Sequence, residues 1–229
     1  MLFIIDFDGT VAPADTVDTL LERHAAPEWR RIEEQWASGL INSQECMAAQ
    51  IALVSAERPV LESFLQSVAI DPSFPEFVRY ASTFADLAIV SDGLDYPIRH
   101  ALQKLDIPPI PIYANKLGFT PRGLDISFPY TDSTCAVKSG VCKCAMARAV
   151  DAGRDLTTVL IGDGRSDQCI AREARYVFAK GSLLRFCREE GINHIPFDSF
   201  ADILKLTRGW NIRPHERFLK ERSCPLVVA

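Results

Sequence analysis

Short apolar runs recur along the chain and alternate with stretches of helical spacing. The runs cover residues 3–5, 87–90, 110–113, 158–161 and 176–178, and each is almost entirely apolar. A strand buried on both faces lacks the polar alternation of a half-exposed strand, so buried parallel strands fit these runs best. Because helical patterns separate the runs, the sequence predicts an α/β fold with a parallel sheet.

One long segment, residues 15–73, breaks this alternation because it carries helical spacing and no convincing strand. Val17 and Leu20, for example, fall on one face of a predicted helix, and prolines and a glycine separate the helical stretches. We therefore expect a helical insertion after the first strand of a Rossmann-like core. That core is predicted to comprise residues 1–14 and 74–229.

Composition and charge narrow the classes of function. The chain has 229 residues, with 25 Lys and Arg against 30 Asp and Glu, and a net charge of −5 without a basic stripe. This balance argues against a nucleic-acid partner, and no apolar run of about 18 residues is present to cross a membrane. The chain starts Met1-Leu2-Phe3 without the basic region of a signal peptide, so we expect a cytoplasmic protein. Its seven scattered cysteines favour reduced thiols.

Polar residues directly follow three of the predicted strands. Residues 6–10 read Asp-Phe-Asp-Gly-Thr, residues 91–93 read Ser-Asp-Gly, and residues 162–167 read Gly-Asp-Gly-Arg-Ser-Asp. The carboxyl ends of parallel strands meet at one edge of the sheet, where ligands bind. Carboxylates that converge there repel one another without a cation, and Mg²⁺ prefers a few carboxylates with water and a phosphate oxygen. Since the glycines let backbone N–H groups approach an anion, the sequence predicts a magnesium and phosphate site.

These three segments resemble motifs of the haloacid dehalogenase superfamily of phosphohydrolases. Residues 6–10 look like its first motif, residues 90–93 like its second and residues 162–167 like its fourth. A helical cap between the first two motifs is similar to the phosphoserine phosphatase branch. The stretch from Cys135 to Lys143 is similar to the methionine-salvage phosphatases of that branch, which act on an enol phosphate derived from methylthioribose.

The resemblance implies a covalent mechanism. Asp6 would be the nucleophile and form an aspartyl phosphate, which divides one difficult displacement into two easier ones. The ligands of Mg²⁺ would be the side chains of Asp6 and Asp163 and the backbone carbonyl of Asp8, with Asp167 supporting the metal site. Asp8 would also act as general acid to the leaving oxygen and then as general base to water.

The remaining core residues would bind the phosphate. The resemblance implies that Ser91 donates a hydrogen bond to a phosphate oxygen and that a lysine neutralises the phosphoryl charge. Lys143 and Lys138 are both candidates for that lysine. Lys143 is preferred because Val-Cys-Lys at the start of a helix is similar to the pattern of the methionine-salvage phosphatases. Two turns would complete the phosphate cradle, at Gly9, Asp92 and Gly93.

Two positions in the predicted cap correspond to residues that recognise the substrate in phosphoserine phosphatases. Asp15 lies where phosphoserine phosphatases place an acid that recognises the substrate amine, and it also fits a helix N-cap. Gln50 falls near the position where those enzymes use an arginine on the substrate carboxylate. The resemblance therefore implies that phosphoserine is a poor candidate substrate for this chain.

The leading interpretation is a Mg²⁺-dependent hydrolase of a small phosphorylated metabolite, acting as a monomer or a homodimer. Two alternatives stay open: a phosphotransferase or phosphomutase that passes the aspartyl phosphate to another hydroxyl, and a non-catalytic binding domain on the same scaffold. Loss of the nucleophile or of a metal ligand would favour the binding domain, whereas Asp6, Asp8 and Asp163 are all present.

Overall fold

The computed structural model describes residues 1–56, 58–121, 123–135 and 138–210. Seven strands form one sheet: β1 Leu2–Ile5, β2 Asp86–Leu94, β3 Ile112–Thr120, β4 Gly123–Ser127, β5 Thr158–Gly162, β6 Tyr176–Ala179 and β7 Ile195–Pro196. Their order is β4-β3-β2-β1-β5-β6-β7. Neighbouring strands are parallel except β3 and β4, which form an antiparallel hairpin. The predicted α/β fold with a mostly parallel sheet is confirmed.

The third predicted strand begins later than its apolar pattern indicates. β3 starts at Ile112 rather than at residue 110 and runs on to Thr120. Pro108, Pro109 and Pro111 explain the late start, because proline has no N–H to donate to the ladder. The sequence pattern also missed β4 and β7, since β4 has no fully buried position and β7 has only two residues.

Ten α-helices and a short 3-10 helix at Arg165–Asp167 lie among the described residues of the chain. Their bounds are α1 Thr16–His24, α2 Trp29–Ala37, α3 Ser43–Ile51, α4 Arg58–Gln66, α5 Phe74–Ala81, α6 Asp95–Gln103, α7 Lys143–Asp151, α8 Gln168–Ala171, α9 Gly181–Glu189 and α10 Phe200–Arg208. None of the helices in the described part of the chain has the length and apolarity that a bilayer crossing requires. The cytoplasmic location stays a prediction.

The core lies on both faces of the sheet, because consecutive residues of a strand point to opposite sides. Phe3 and Ile5 of β1 pack into one cluster with Phe77 of α5, and Leu2 and Ile4 pack into the other. All five side chains are fully buried. Burial of each such side chain stabilises the fold by about 2 kcal/mol. β1 is therefore a buried, central support for the residues that follow it.

The segment 15–73 is helical as the sequence predicts, with helices α1 to α4 and no strand among its described residues. Its helices pack around a third cluster that includes Leu21, Ile51 and Phe64. The β3–β4 hairpin adds apolar side chains to the edge of this cluster, among them Leu117. The boundaries of the cap domain at residues 15 and 73 stay a prediction.

The start of the predicted tail at residue 209 packs against the core. Gly209 follows α10, and the Trp210 ring stacks on Phe3 with 6.5 Å between ring centroids. Residues 211–229 lie outside the described part of the chain, and Cys224 is among them. No disulfide joins the six cysteines in the described part of the chain.

Candidate active site

β1 ends at Ile5, and the turn after it sets two carboxyl groups at the carboxyl edge of the sheet. The side chain of Asp6 is buried there. In the turn, Thr10 N–H donates to the carbonyl of Phe7 over 3.1 Å, and Gly9 adopts a positive φ of 70°. A Cβ at Gly9 would collide with the carboxylate of Asp163, so this turn requires glycine.

Lys143 forms ion pairs with one aspartate of the first motif and one of the fourth. It is the first residue of α7, and its side chain is 1% exposed. Its Nζ lies 2.8 Å from Oδ1 of Asp6 and 2.5 Å from Oδ1 of Asp167. Lys138, the other candidate, lies on the wall of the neighbouring cavity with a φ of 47°. The geometry therefore favours Lys143 as the lysine that faces the proposed nucleophile.

Three carboxylates form a group that fits a divalent cation. Asp6, Asp163 and Asp167 each offer an oxygen, and these oxygens lie within 4.8 Å of one another. Thr10 Oγ1 donates to Asp163 over 3.0 Å, and the N–H groups of Asp163 and Gly164 donate to Oδ2 of Asp167 over 3.2 and 3.0 Å. Both oxygens of Asp167 thus have protein partners, which suits a supporting role. An all-oxygen donor set of this kind matches the preference of Mg²⁺.

Asp8 lies apart from this group and is held by α1. Its Oδ1 accepts hydrogen bonds from the backbone N–H of Thr16 over 2.8 Å and from the Thr16 hydroxyl over 2.6 Å. The Ser91 hydroxyl lies 3.4 Å from its Oδ2. This arrangement directs the carboxyl group toward the cavity rather than toward the three clustered carboxylates.

Burial dominates the electrostatics of the site. Desolvation raises the pKa of Asp6 well above its usual value, against the opposing charge of Lys143. Desolvation and then the charge of Asp15 raise the pKa of Asp8 to about 7, and desolvation and then Asp167 raise the pKa of Asp163 to about 6. A cation at these carboxylates would offset the desolvation and the mutual repulsion.

Lys143 remains charged in this setting. Burial alone would lower its pKa, but the charges of Asp167 and Asp6 together raise it above the usual value for lysine. A protonated Lys143 has three N–H donors, and two of them are directed at the carboxylates. The remaining donor is available to an anion bound beside Asp6.

Residues 91–93 lie within β2, which runs on to Leu94, rather than after the strand as the apolar pattern predicts. Ser91 is buried, and its Oγ accepts a hydrogen bond from Gly93 N–H over 3.0 Å. A Cβ at Gly93 would collide with the carboxylate of Asp8, which explains a glycine here. The side chain of Asp92 points away from this pair and binds other protein groups, with Ser43 Oγ at 2.9 Å and Val141 N–H at 3.1 Å.

Asp15 and Gln50 both line the cavity, and each has a partner within the protein. Oδ1 of Asp15 accepts hydrogen bonds from the N–H groups of Val17 and Asp18, each over 2.9 Å, so it caps α1. Gln50 is buried and donates from Nε2 to Oε2 of Glu33 over 2.9 Å. The N-cap interpretation of Asp15 is confirmed, and its role toward a substrate stays a prediction.

A cavity of about 700 Å³ lies between the sheet edge and helices α1 to α3. Its outer wall includes the apolar side chains of Trp36, Leu40, Ile41 and Met47. The Arg165 guanidinium lies over the Trp36 ring, 5.2 Å from its centroid, and so connects the fourth motif to α2. The cavity is therefore enclosed from two sides, by the core and by the helical segment.

Sequence reasoning missed several residues that organise this site. They are Thr10, Thr16, Ser43, Asn115 and Arg165. Thr10 and Arg165 lie within the recognised motifs, where the neighbouring aspartates and glycines are the residues that indicate a metal and phosphate site. Ser43 and Asn115 contact Asp92 from distant positions in sequence, and Thr16 contacts Asp8 from the start of α1. No local pattern identifies such contacts.

The fold and the site define the class of this chain. The model of the haloacid dehalogenase-like hydrolase family matches residues 3–172, so the chain belongs to that family. A curated relative from an Exiguobacterium species, named 2-hydroxy-3-keto-5-methylthiopentenyl-1-phosphate phosphatase, is 30% identical over 213 residues, which are 91% of this chain and 98% of the relative. A relative of the same name from Geobacillus kaustophilus is 30% identical over 89% of this chain and 94% of its own length.

Solved structures support the same fold. A phospho-aspartyl intermediate analogue of phosphoserine phosphatase has a TM-score of 0.68 at 19% identity and covers 90% of this chain and 97% of its own. A substrate-bound phosphoserine phosphatase has a TM-score of 0.65 at 19% identity, with coverage of 90% and 97%. At 19% sequence identity, the similarity to these two structures supports a shared fold and nothing more specific. Within its family the chain is a phosphatase, as its curated relatives are.

Proposed function

We propose that this phosphatase is Mg²⁺-dependent, hydrolyses a small phosphorylated metabolite and works through an aspartyl phosphate on Asp6. The observation that carries the proposal is the position of the Asp6 carboxylate. It is paired with Lys143 over 2.8 Å, and it lies beside Asp163 and Asp167 on the wall of the cavity.

The residues present fit the metal. Asp6 and Asp163 would hold Mg²⁺ through their side chains and Asp8 through its backbone carbonyl, while Asp167 would support the site. The bound ion would supply positive charge between the nucleophilic carboxylate and the phosphate, which otherwise repel each other.

The side chains around the cavity have separate roles in the two chemical steps. A carboxylate oxygen of Asp6 attacks phosphorus, and the bond from phosphorus to the leaving oxygen breaks as that oxygen takes the proton of Asp8. With its pKa near 7, Asp8 is partly protonated at neutral pH. In the second step Asp8 takes a proton from water, which attacks phosphorus and releases phosphate and Asp6. Lys143 and Ser91 donate hydrogen bonds to the phosphoryl oxygens.

The substrate with the most support is the 2-hydroxy-3-keto-5-methylthiopentenyl-1-phosphate of the curated relatives' name. Its thioether end is apolar, as is the cavity wall formed by Trp36, Leu40, Ile41 and Met47. Phosphoserine has less support, because Gln50 carries no charge to bind a carboxylate and its amide is already bonded to Glu33.

The test is phosphate release from a panel of phosphomonoesters, with and without Mg²⁺, by the wild type and by Asp6→Asn. The panel includes an aryl phosphate, phosphoserine, phosphocholine, sugar phosphates and the methylthiopentenyl phosphate. We expect Mg²⁺-dependent turnover that Asp6→Asn abolishes, because the carboxamide is nearly isosteric with the carboxylate but a poor nucleophile. Near wild-type turnover by Asp6→Asn would contradict covalent catalysis. Turnover only with an added acceptor alcohol would identify a phosphotransferase.

A further inference from the structure

The carboxylate of Asp92 receives hydrogen bonds from three elements that are distant in sequence. Ser43 Oγ, at the first position of α3, donates to Oδ2 over 2.9 Å. Val141 N–H, two residues before Lys143, donates to Oδ1 over 3.1 Å, and Asn115 Nδ2 of β3 lies 3.4 Å from the same oxygen. One side chain therefore connects the helical segment, the sheet and the loop that leads into α7.

Asn115 fixes the sheet side of this arrangement. It is fully buried, and its Nδ2 also donates to the backbone carbonyl of Asp92 over 2.6 Å. Its Oδ1 is a buried atom without a hydrogen-bond partner within the described part of the chain. Gly140 packs directly against this amide, where a Cβ would collide with it. The loop before α7 is thus held close to Asn115 and Asp92.

A second hydrogen bond joins the same two pieces of the molecule. Gln44, next to Ser43 on α3, donates from Nε2 to the carbonyl of Ser139 over 3.2 Å. The start of α3 is itself well defined, because Asn42 and Glu45 form a reciprocal capping box. The beginning of α3 therefore contacts the loop before Lys143 both directly and through Asp92.

Asp92 also lies between two residues of the site. The Ser91 hydroxyl and Gly93 lie against Asp8, whereas the Asp92 carboxylate bonds α3 and the loop before α7 at the wall of the same cavity. A change of the Asp92 side chain would therefore act first on α3 and on the loop that presents Lys143.

We propose that Asp92 is a positioning residue that couples the seating of α3 over the cavity to the placement of Lys143 against Asp6. The coupling rests on the proposed function, since it assigns Asp92 a part in the same phosphoryl transfer. When Ser43 binds Asp92, the carboxylate is oriented to accept from Val141 N–H, and the backbone that enters α7 is held in place. By linkage, weakening either contact weakens the other.

The first experiment is hydrogen exchange measured by mass spectrometry on the full chain. We expect Ser43→Ala to speed exchange about tenfold in the loop of residues 139–143 as well as at the start of α3, because local opening becomes easier. Ser38→Ala is the matched control, since within the described residues its hydroxyl bonds the carbonyl of Gln35 in its own segment. The control should leave exchange at residues 139–143 unchanged. A Ser43→Ala variant that exchanges faster in α3 alone would overturn the coupling.

The second experiment is a double-mutant cycle of Ser43→Ala and Asp92→Ala on kcat/KM with the best substrate of the panel. Alanine at position 92 removes both acceptor oxygens, whereas asparagine could still bond Ser43. A hydrogen bond to a charged group supports an expected loss of about tenfold for Ser43→Ala. The same change should have almost no further effect when Asp92 is already alanine, whereas losses that multiply would refute the proposal. The thermal unfolding of Asp92→Ala reports whether it folds. Failure of the proposed function would appear as turnover retained by Asp6→Asn, and it would leave the exchange result intact.

Discussion

Lys143 is held between two carboxylates, with its Nζ 2.8 Å from Asp6 and 2.5 Å from Asp167. We expect Lys143→Met to lower kcat about 10²–10³-fold, because a preorganised positive charge at the phosphoryl group is lost. Lys138→Met should lower kcat less than about tenfold, since Lys138 lies on the cavity wall. Phosphate release per folded molecule, with folding checked by circular dichroism, decides between the two lysines. A larger loss for Lys138→Met would reverse the assignment.

Gly93 offers a second prediction at the scale of one residue. A methyl group added there meets the Asp8 carboxylate, so Gly93→Ala must displace Asp8 or strain β2. We expect kcat to fall at least about tenfold and the free energy of unfolding to drop by about 1–3 kcal/mol. Gly118→Ala is the matched control, because its Cβ would have 3.6 Å to the nearest atom. Equal kinetic effects at both glycines would show that the crowding of Asp8 is unimportant.

At the scale of elements, the sequence predicts the central strands and their terminal motifs because both signals are local. An apolar run followed by polar residues and Gly marks the end of a buried strand at Asp6 and at Asp163, and it marks the last part of β2 at Ser91, since β2 continues to Leu94. The β3–β4 hairpin carries no such signal. The hairpin is stabilised by tertiary contacts, because side chains such as Leu117 and Leu124 pack against the apolar cluster of helices α1 to α4.

The first helix of that segment starts at an aspartate with two possible roles. Asp15 caps α1, and it also lines the cavity. Asp15→Asn keeps a good N-cap and removes the charge, whereas Asp15→Ala removes both. We expect Asp15→Ala alone to lower the free energy of unfolding by about 1 kcal/mol, measured by urea denaturation. A KM that rises equally in both variants would assign the charge to the substrate, and an unchanged KM in Asp15→Asn would assign the residue to α1 alone.

At the scale of the whole molecule, the position of β1 explains why the site assembles. β1 lies between β2 and β5, so the motifs at the carboxyl ends of these three strands meet at one edge. Thr10 bonds Asp163 there across 153 positions of sequence. The strand-end rule anticipates that convergence. It does not anticipate which helical residues reach the edge, because contacts such as Ser43 to Asp92 depend on how α3 packs over the sheet.

From that convergence we expect the stability of the molecule to depend on a divalent cation. Asp6, Asp163 and Asp167 are brought together at some electrostatic cost, which a bound divalent ion would offset. We expect Mg²⁺ at about a hundred times its Kd to stabilise the fold by about 2.7 kcal/mol and to raise Tm by about 5–10 °C, and EDTA to reverse the rise. Asp163→Asn should lose most of this increase, whereas Asp155→Asn, a control on an exposed residue, should keep it. Thermal unfolding followed by circular dichroism measures the difference without any substrate, and an equal rise in both variants would place the ion elsewhere.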